Sequence, residues 1–261
     1  MMYEIFAQTD QGRVRKNNED AVAFDPETGL CLLADGMGGY NAGEVASSMA
    51  VAFLSQELEA WLLQAGSRAS ARELRRTLEA CVNQVNHSIF SAAWSNPDYA
   101  GMGTTLVAGV FLDARLVLGH IGDSRCYRLR GGVLQQITKD HSLLQEQVDA
   151  GMMTAKQALT SPHRNLITRA LGVEDTVSVE INEHRVEPDD LYLMCSDGLS
   201  DMVPDRVIET ILNSPSTLRQ KAAALIQVAN GSGGHDNISV LLVQAAEDGS
   251  RRGLLSRMLG K

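Results

Sequence analysis

Two apolar runs in this chain end on the same dipeptide. Leu30-Cys31-Leu32-Leu33-Ala34 runs into Asp35-Gly36-Met37-Gly38-Gly39, and Leu191-Tyr192-Leu193-Met194-Cys195-Ser196 runs into Asp197-Gly198. Each run has the length and composition of a strand. Each therefore delivers a carboxylate to the rim of a core, where a charge is costly unless something pairs with it. Asp-Gly by itself is also an ordinary turn dipeptide, but three further acidic positions repeat the pattern. Asp123 closes the run Leu116 to Gly122, Asp236 sits in Gly233-Gly234-His235-Asp236-Asn237, and Glu19-Asp20 precedes Ala21-Val22-Ala23-Phe24. Oxygen ligands in such numbers suit hard divalent cations such as magnesium or manganese. The chain holds no H-E-x-x-H or Cys/His zinc spacing and no calcium loop of the D-x-D-x-D-G kind. It has no C-x5-R for a cysteine phosphatase and no G-x-x-x-x-G-K-[ST], and its first glycine cluster lacks the G-x-G-x-x-G spacing.

These acids need a scaffold, and 261 residues with 44% hydrophobic composition can build a sizeable core. A net charge of −9 argues against nucleic acid as the main partner, because phosphates would be repelled. The four cysteines are widely spaced without a C-x-x-C, and three lie in strand-like runs, as small hydrophobes do. Met1-Met2-Tyr3-Glu4 lacks the charged and apolar regions of a signal peptide, and no apolar run has the length of a membrane span. Together with free cysteines this predicts a cytoplasmic protein.

The hydrophobic pattern predicts a strand over Tyr3 to Gln8, a turn at Thr9-Asp10-Gln11-Gly12, and strands either side of Asp25-Pro26-Glu27-Thr28-Gly29. A long helix is expected from Glu44 to Gln64 with Val45, Met49, Ala52, Phe53 and Leu58 on its buried face. A second runs from Ser70 to about Trp94 on Leu74, Leu78, Val82 and Val85. Strands in series follow: Thr104 to Leu112, Arg115 to Ile121, and a hairpin of Cys126 to Leu129 and Val133 to Ile137 about Gly131-Gly132. Residues 138–180 are polar, helical over Leu143 to Ala150 and Thr154 to Leu159, and broken at Ser161-Pro162, which reads as an insertion over the sheet. Strands over Val177 to Val186, Leu191 to Cys195 and Asn237 to Gln244 complete the set. Helices are opened by Pro204 and by Ser216 or Thr217.

The ordered set Asp10-Gln11-Gly12-Arg13-Val14-Arg15-Lys16-Asn17-Asn18-Glu19-Asp20, Ala34-Asp35-Gly36-Met37-Gly38-Gly39, Gly101-Met102-Gly103-Thr104-Thr105, Gly122-Asp123-Ser124-Arg125, Cys195-Ser196-Asp197-Gly198-Leu199 and Gly234-His235-Asp236-Asn237 resembles the metal-dependent protein phosphatases of the PPM or PP2C type, in their compact bacterial form. The resemblance implies an α+β fold, a four-layer α-β-β-α sandwich of two central antiparallel sheets flanked by helices. It implies a single domain over residues 1–246, with residues 138–180 as a flap; residues 247–261, with Arg251, Arg252, Arg257 and Lys261 among leucines, read from their composition as a basic tail. It also implies hydrolysis of phosphoserine and phosphothreonine in proteins by water activated between two Mn2+ or Mg2+ ions. In that pattern Asp35 bridges the ions and the Gly36 carbonyl ligates one. Asp197 and Asp236 complete the first site, and Glu19 and Asp20 act through bound water. Asp123 with Asp197 matches a third, weaker site, and Arg15 grips the substrate phosphate, a role suited to a guanidinium fork.

The implied partners are phosphorylated proteins and a cognate serine/threonine kinase, with a monomer as the expected state. Two alternatives stand beside this reading: a catalytically weak phosphoprotein-binding module, and a small-phosphoester phosphohydrolase. A catalytically dead relative would be expected to lose metal acids, and every expected acid is present. His87, His120, His141, His163, His184 and His235 read as surface or supporting histidines rather than ligands, and Thr104-Thr105 as packing or capping residues. The chain departs from the common Asp-Gly-Met-Gly-Gly-His pattern at Tyr40, a much weaker acid than histidine at neutral pH. Tyr40 is therefore expected to shape the substrate groove rather than protonate the leaving group.

Overall fold

The computed structural model describes residues 1–39, 42–66, 69–154, 157 and 166–247. Tyr40, His163, Ser161-Pro162, most of the helix expected over Thr154 to Leu159, and the tail from 248 onward lie outside the described residues. The strands are β1 (Met2–Asp10), β2 (Asp20–Asp25), β3 (Leu30–Met37), β4 (Gly103–Thr104), β5 (Leu106–Leu112), β6 (Arg115–Ile121), β7 (Arg125–Arg130), β8 (Val133–Gln136), β9 (Glu180–Arg185), β10 (Leu191–Cys195) and β11 (Ile238–Ala246). The helices are α1 (Ala42–Ala65), α2 (Ala71–Ser95), α3 (Leu143–Asp149), the single turn α4 (Asp197–Ser200), α5 (Asp205–Leu212) and α6 (Leu218–Gly231).

One antiparallel sheet has the order β1-β11-β10-β7-β8 and the other β2-β3-β5-β6-β9, with β4 paired to β3. The long apolar runs are strands covered on both faces. Along β3, Leu30, Leu32 and Ala34 enter the layer shared with α1 and α2, while Cys31 and Leu33 enter the layer between the sheets. Along β10, Leu191, Leu193 and Cys195 pack with residues of α4, α5 and α6, while Tyr192 and Met194 face the other sheet. This period-two division makes three apolar layers, and hence the expected four-layer sandwich.

Helix α2 keeps its expected stripe and is capped by Ser70, whose Oγ accepts from Glu73 N at 3.2 Å. Helix α1 is turned from its expected face. Ala42, Gly43, Ala46, Ala50, Leu54, Leu58 and Leu62 are buried, Val45, Met49 and Phe53 lie at the flanks, and Ala52 is exposed. The reason is closeness: a Cβ on Gly43 would meet Gly36 O at 2.8 Å, so small residues face β3. Strand β1 continues through Thr9 and Asp10, where a turn was expected, because Ser239 and Ile238 of β11 supply partners. The run over Thr104 to Leu112 breaks at Thr105. Strand β9 begins at Glu180, and Val177 and Val179 instead pack against the helical layer.

Antiparallel register then brings chain ends together. Asp10 lies opposite Ile238, Cys195 opposite Val240, Asp20 opposite Asp35, and Ile121 opposite Leu106. The C-terminal ends of β1, β3, β6 and β10 and the starts of β2 and β11 thus share one end of the sandwich. The root of the segment carrying α3 reaches the same region through bridges Ser142 to Ile167 and Thr104 to Leu171.

Candidate metal centre

Hydrogen bonds from distant parts of the chain fix each acid at that end. Asp35 is clamped through its backbone: its N–H donates to Thr105 Oγ1 at 2.9 Å, and its carbonyl accepts from Thr105 N and Thr104 Oγ1, both at 2.9 Å. Asp20 stands across the ladder from Asp35 and accepts from Ser196 Oγ at 2.8 Å, a hydroxyl itself held by Ser239 N at 2.9 Å. The loop carrying Arg15 and Glu19 is tied to the start of β11 by Asn237. Its Oδ1 accepts from Glu19 N at 2.8 Å, and its Nδ2 donates to Asn17 O at 2.9 Å and Gln11 O at 3.0 Å. Two glycines allow these close approaches. A Cβ on Gly36 would lie 2.1 Å from Gly43 O, and one on Gly198 would lie 1.9 Å from Asn237 O.

Asp20, Asp35, Asp123, Asp197 and Asp236 each keep part of their surface open to solvent. Removal from water, then the charges of neighbouring carboxylates, raises Asp35 and Asp197 well above the ordinary carboxylate value. Asp20 is pushed to about 6, first by burial and also by Asp236, against the pull of the Ser196 and Ser239 hydrogen bonds. Asp123 is pushed to about 6 by burial and by Asp140. Asp20 Oδ1 is a buried oxygen with no hydrogen-bond partner. Crowded anions and an orphaned oxygen form an all-oxygen donor set whose negative charge Arg15 alone does not balance, which suits a pair of hard divalent cations. The residues therefore fit magnesium or manganese.

Every acid expected from the sequence is brought to this site. Glu19 lies against α1, its Oε2 within 2.8 Å of where a Gly43 Cβ would stand, and its Oε1 accepts from Asn17 Nδ2 at 3.2 Å. Arg15 is at the rim, half exposed, and its Nη2 donates to Asp236 Oδ2 at 2.6 Å. Thus the expected phosphate-binding arginine is here paired with an expected metal ligand, and that hydrogen bond raises the guanidinium further. Thr104 and Thr105, expected to pack or cap, instead hold the Asp35 backbone through their hydroxyls. Roles for Asn237, Ser196 and Ser47, whose Oγ donates to Glu19 O at 2.5 Å, were not expected. Asn237 stands in the Gly-His-Asp-Asn motif, and an amide beside a motif acid was the available signal.

A groove of about 650 Å³ leads away from Asp123 and Asp197 between Leu144 and Val148 of α3 on one side and Met202 and Pro204 on the other. Among the described residues no helix is long and apolar enough to cross a membrane.

The chain is 42% identical over 240 residues to a serine/threonine phosphatase, Stp, of Listeria monocytogenes, covering 91% of this chain and 94% of that protein. It is 42% identical over 242 residues to the serine/threonine protein phosphatase PstP of Mycobacterium tuberculosis, covering 92% of this chain and 45% of PstP. The crystal structure of PstP/Ppp from that organism superposes with a TM-score of 0.87 at 40% identity, over 95% of this chain and all of the other. A structure of the PstP catalytic domain in complex with two manganese ions superposes with a TM-score of 0.82 at 40% identity, over 94% and 99%. The protein phosphatase 2C profile matches residues 8–239, from the last strand residues of β1 to the start of β11. With that match spanning every acid at the common end of the two sheets, the chain belongs to the protein phosphatase 2C family.

Proposed function

We infer that this chain hydrolyses phosphoserine and phosphothreonine in proteins with the help of two manganese or magnesium ions. The observation that carries this reading is the convergence of five aspartates, from both sheets, at one sandwich end beside an arginine. The serine/threonine phosphatases among its relatives support the activity, and the two manganese ions of PstP support the ion pair.

Asp35, the Gly36 carbonyl, Asp197 and Asp236 would hold the inner pair. Glu19 and Asp20 would reach it through water, and Asp123 with Asp197 would hold a third, weaker ion. When bound, such ions activate water for attack on phosphorus and neutralise charge on the transferring phosphoryl group. The chain's own residues bind and orient. Arg15 spends only Nη2 on Asp236, and a guanidinium carries five N–H donors, so others remain for phosphate oxygens. Ser196 and Asn237 keep Asp20 and the Glu19 backbone in register with Asp236. The open groove suits a polypeptide flanking the phosphorylated residue. Covalent catalysis by cysteine is disfavoured, since all four thiols are buried and free, with Cys195 pushed up to about 12 by burial.

The same reading treats residues 1–246 as one catalytic domain with a flap over about 138–180, acting as a cytoplasmic monomer against a cognate serine/threonine kinase. The reduced cysteines support that compartment. The test is phosphate release from phosphothreonine, phosphoserine and phosphotyrosine peptides and from a small phosphoester, with manganese and with excess chelator. Metal-dependent release from the first two is expected. Full activity in chelator overturns the metal role. A small phosphoester turned over far faster than any peptide favours the phosphohydrolase alternative, and phosphopeptide binding without turnover favours the regulatory module.

A further inference from the structure

Asp123 lies in the tight turn between β6 and β7, following Gly122 at φ +101°. Two buried histidines grip the residues on either side of it. His120 Nε2 bonds Ser124 O at 2.9 Å. His141 takes Gly122 twice: its backbone N–H donates to Gly122 O at 2.8 Å, and its Nδ1 accepts from Gly122 N at 3.1 Å. The two rings stand 4.7 Å apart. His141 O also accepts from Thr168 N at 2.8 Å, which ties this turn to the root of the flap.

His120, His141 and Glu180 offer ligand atoms within 4.8 Å of one another, a grouping that resembles a zinc site. The protons decide against it. Ser124 O can only accept, so the His120 proton is on Nε2. Gly122 N can only donate, so His141 Nδ1 is bare and its Nε2 carries the proton, 3.4 Å from Glu180 Oε2. A neutral His141 then has no lone pair left for a metal. His120 Nδ1 is buried without a partner. A hydrophobic side chain of similar shape would fill that space without an orphaned nitrogen. What the imidazole adds is its donor to Ser124 O.

We propose that His120 and His141 are positioning residues that clamp the Asp123 turn and thereby set the affinity of the third, weaker cation. The proposal rests on the reading of Asp123 as a ligand of that cation. Ser124 adds a further tie, its hydroxyl bonding Thr105 Oγ1 at 2.8 Å, and Thr105 in turn holds Asp35. The Asp123 turn is thus braced from the flap root on one side and from the inner acids on the other. Burial and the adjacent His141 ring push His120 down to about 4, so its neutral form persists at neutral pH.

The test exploits which nitrogen each ring uses. An asparagine carries its amide oxygen where Nδ1 of histidine stands, and a glutamine carries its amide nitrogen where Nε2 stands. His141→Asn therefore keeps the acceptor for Gly122 and His141→Gln loses it, whereas His120→Gln keeps the donor to Ser124 and His120→Asn loses it. Bound Mn2+ is counted by equilibrium dialysis on folded protein, with circular dichroism melts as a check and Asp123→Ala as reference. In His141→Gln and His120→Asn the weakest Mn2+ site should weaken about 10- to 100-fold, the range for residues that orient a ligand, while the tighter sites hold. His141→Asn and His120→Gln should stay close to wild type. Asparagine and glutamine behaving alike at both positions would mean packing alone, and would overturn the proposal. Loss of the weak site in Asp123→Ala but not in His141→Gln or His120→Asn would overturn it while leaving the ligand reading intact. Retention of all sites in Asp123→Ala would overturn both. The two positions are read separately, so one pair decides if the other does not fold.

Discussion

Asn237 offers the sharpest test of how this site is assembled. Its side chain is buried and satisfies three backbone groups, Glu19 N, Asn17 O and Gln11 O. Asn237→Ala removes all three hydrogen bonds. At about 1 kcal/mol for each hydrogen bond lost, the domain should lose about 3 kcal/mol. For a domain of this size that corresponds to a fall in Tm of about 6–12 °C. The measurement is urea unfolding of chelator-treated protein, so that ion binding cannot mask the loss. Because the freed loop carries Arg15 and Glu19, KM for a phosphothreonine peptide should rise as well. Asn237→Asp is the informative companion. It keeps an acceptor for Glu19 N, cannot donate to the two carbonyls, and adds a negative charge beside Asp236. It should be no more stable than the alanine variant despite its closer shape. A fall below about 0.5 kcal/mol in Asn237→Ala, within the ordinary range for surface changes, would refute the reasoning, since the three groups would then be satisfied without the amide.

Asp35→Asn or Asp197→Asn should reduce turnover about a hundredfold or more, as expected when a catalytic ion is displaced. Stability in chelator should not fall, because each removes a charge from a crowd of like charges; a clear loss of metal-free stability would assign these acids to structure instead. Arg15→Ala should raise KM for phosphopeptide more than it changes Mn2+ affinity by dialysis, and parallel losses would contradict its phosphate role. Away from the site, Asp190 accepts Arg130 Nε and Nη2, each at 2.7 Å, and Glu187 N at 2.8 Å. Burial alone would raise its carboxyl, but these bonds hold it below the ordinary value. A depressed acid stabilises the fold above its unfolded pKa and loses that contribution as pH falls through its folded value. Arg130→Gln should therefore cost about 2 kcal/mol near neutral pH, discounted for the partly exposed arginine. The gap in urea midpoints from wild type should narrow below about pH 4, and a pH-independent gap would assign the loss to packing.

Much of the site was legible in the chain itself. A run such as Leu191 to Cys195 that closes on Asp197-Gly198 declares a buried strand and an acid at its end, because hydrophobicity, strand length and turn chemistry are local properties. The order of the motifs carried the family and, with it, the sandwich. The period of α2 was equally plain, since Leu74, Leu78, Val82 and Val85 recur at helical spacing and all are buried in the layer beneath the helices. Local pattern failed on α1, where the closest approach is made at Gly43 and the larger Val45, Met49 and Phe53 were displaced to the flanks. Hydrophobicity ranks side chains by size, whereas the approach of α1 to Gly36 is decided by the space left at β3. Asn237 bonding Glu19, Ser196 bonding Asp20, Arg15 pairing with Asp236 and His141 holding Gly122 were likewise invisible. Three of those contacts join residues more than 170 positions apart, and the fourth crosses from the segment just before α3 to a sheet turn. Which polar groups meet there depends on strand register and on the stacking of two sheets, and a one-residue slip would send the same side chains to opposite faces. The residue types determined that this chain would gather acids at strand ends; only the packed sandwich decided which neighbours hold each acid in place.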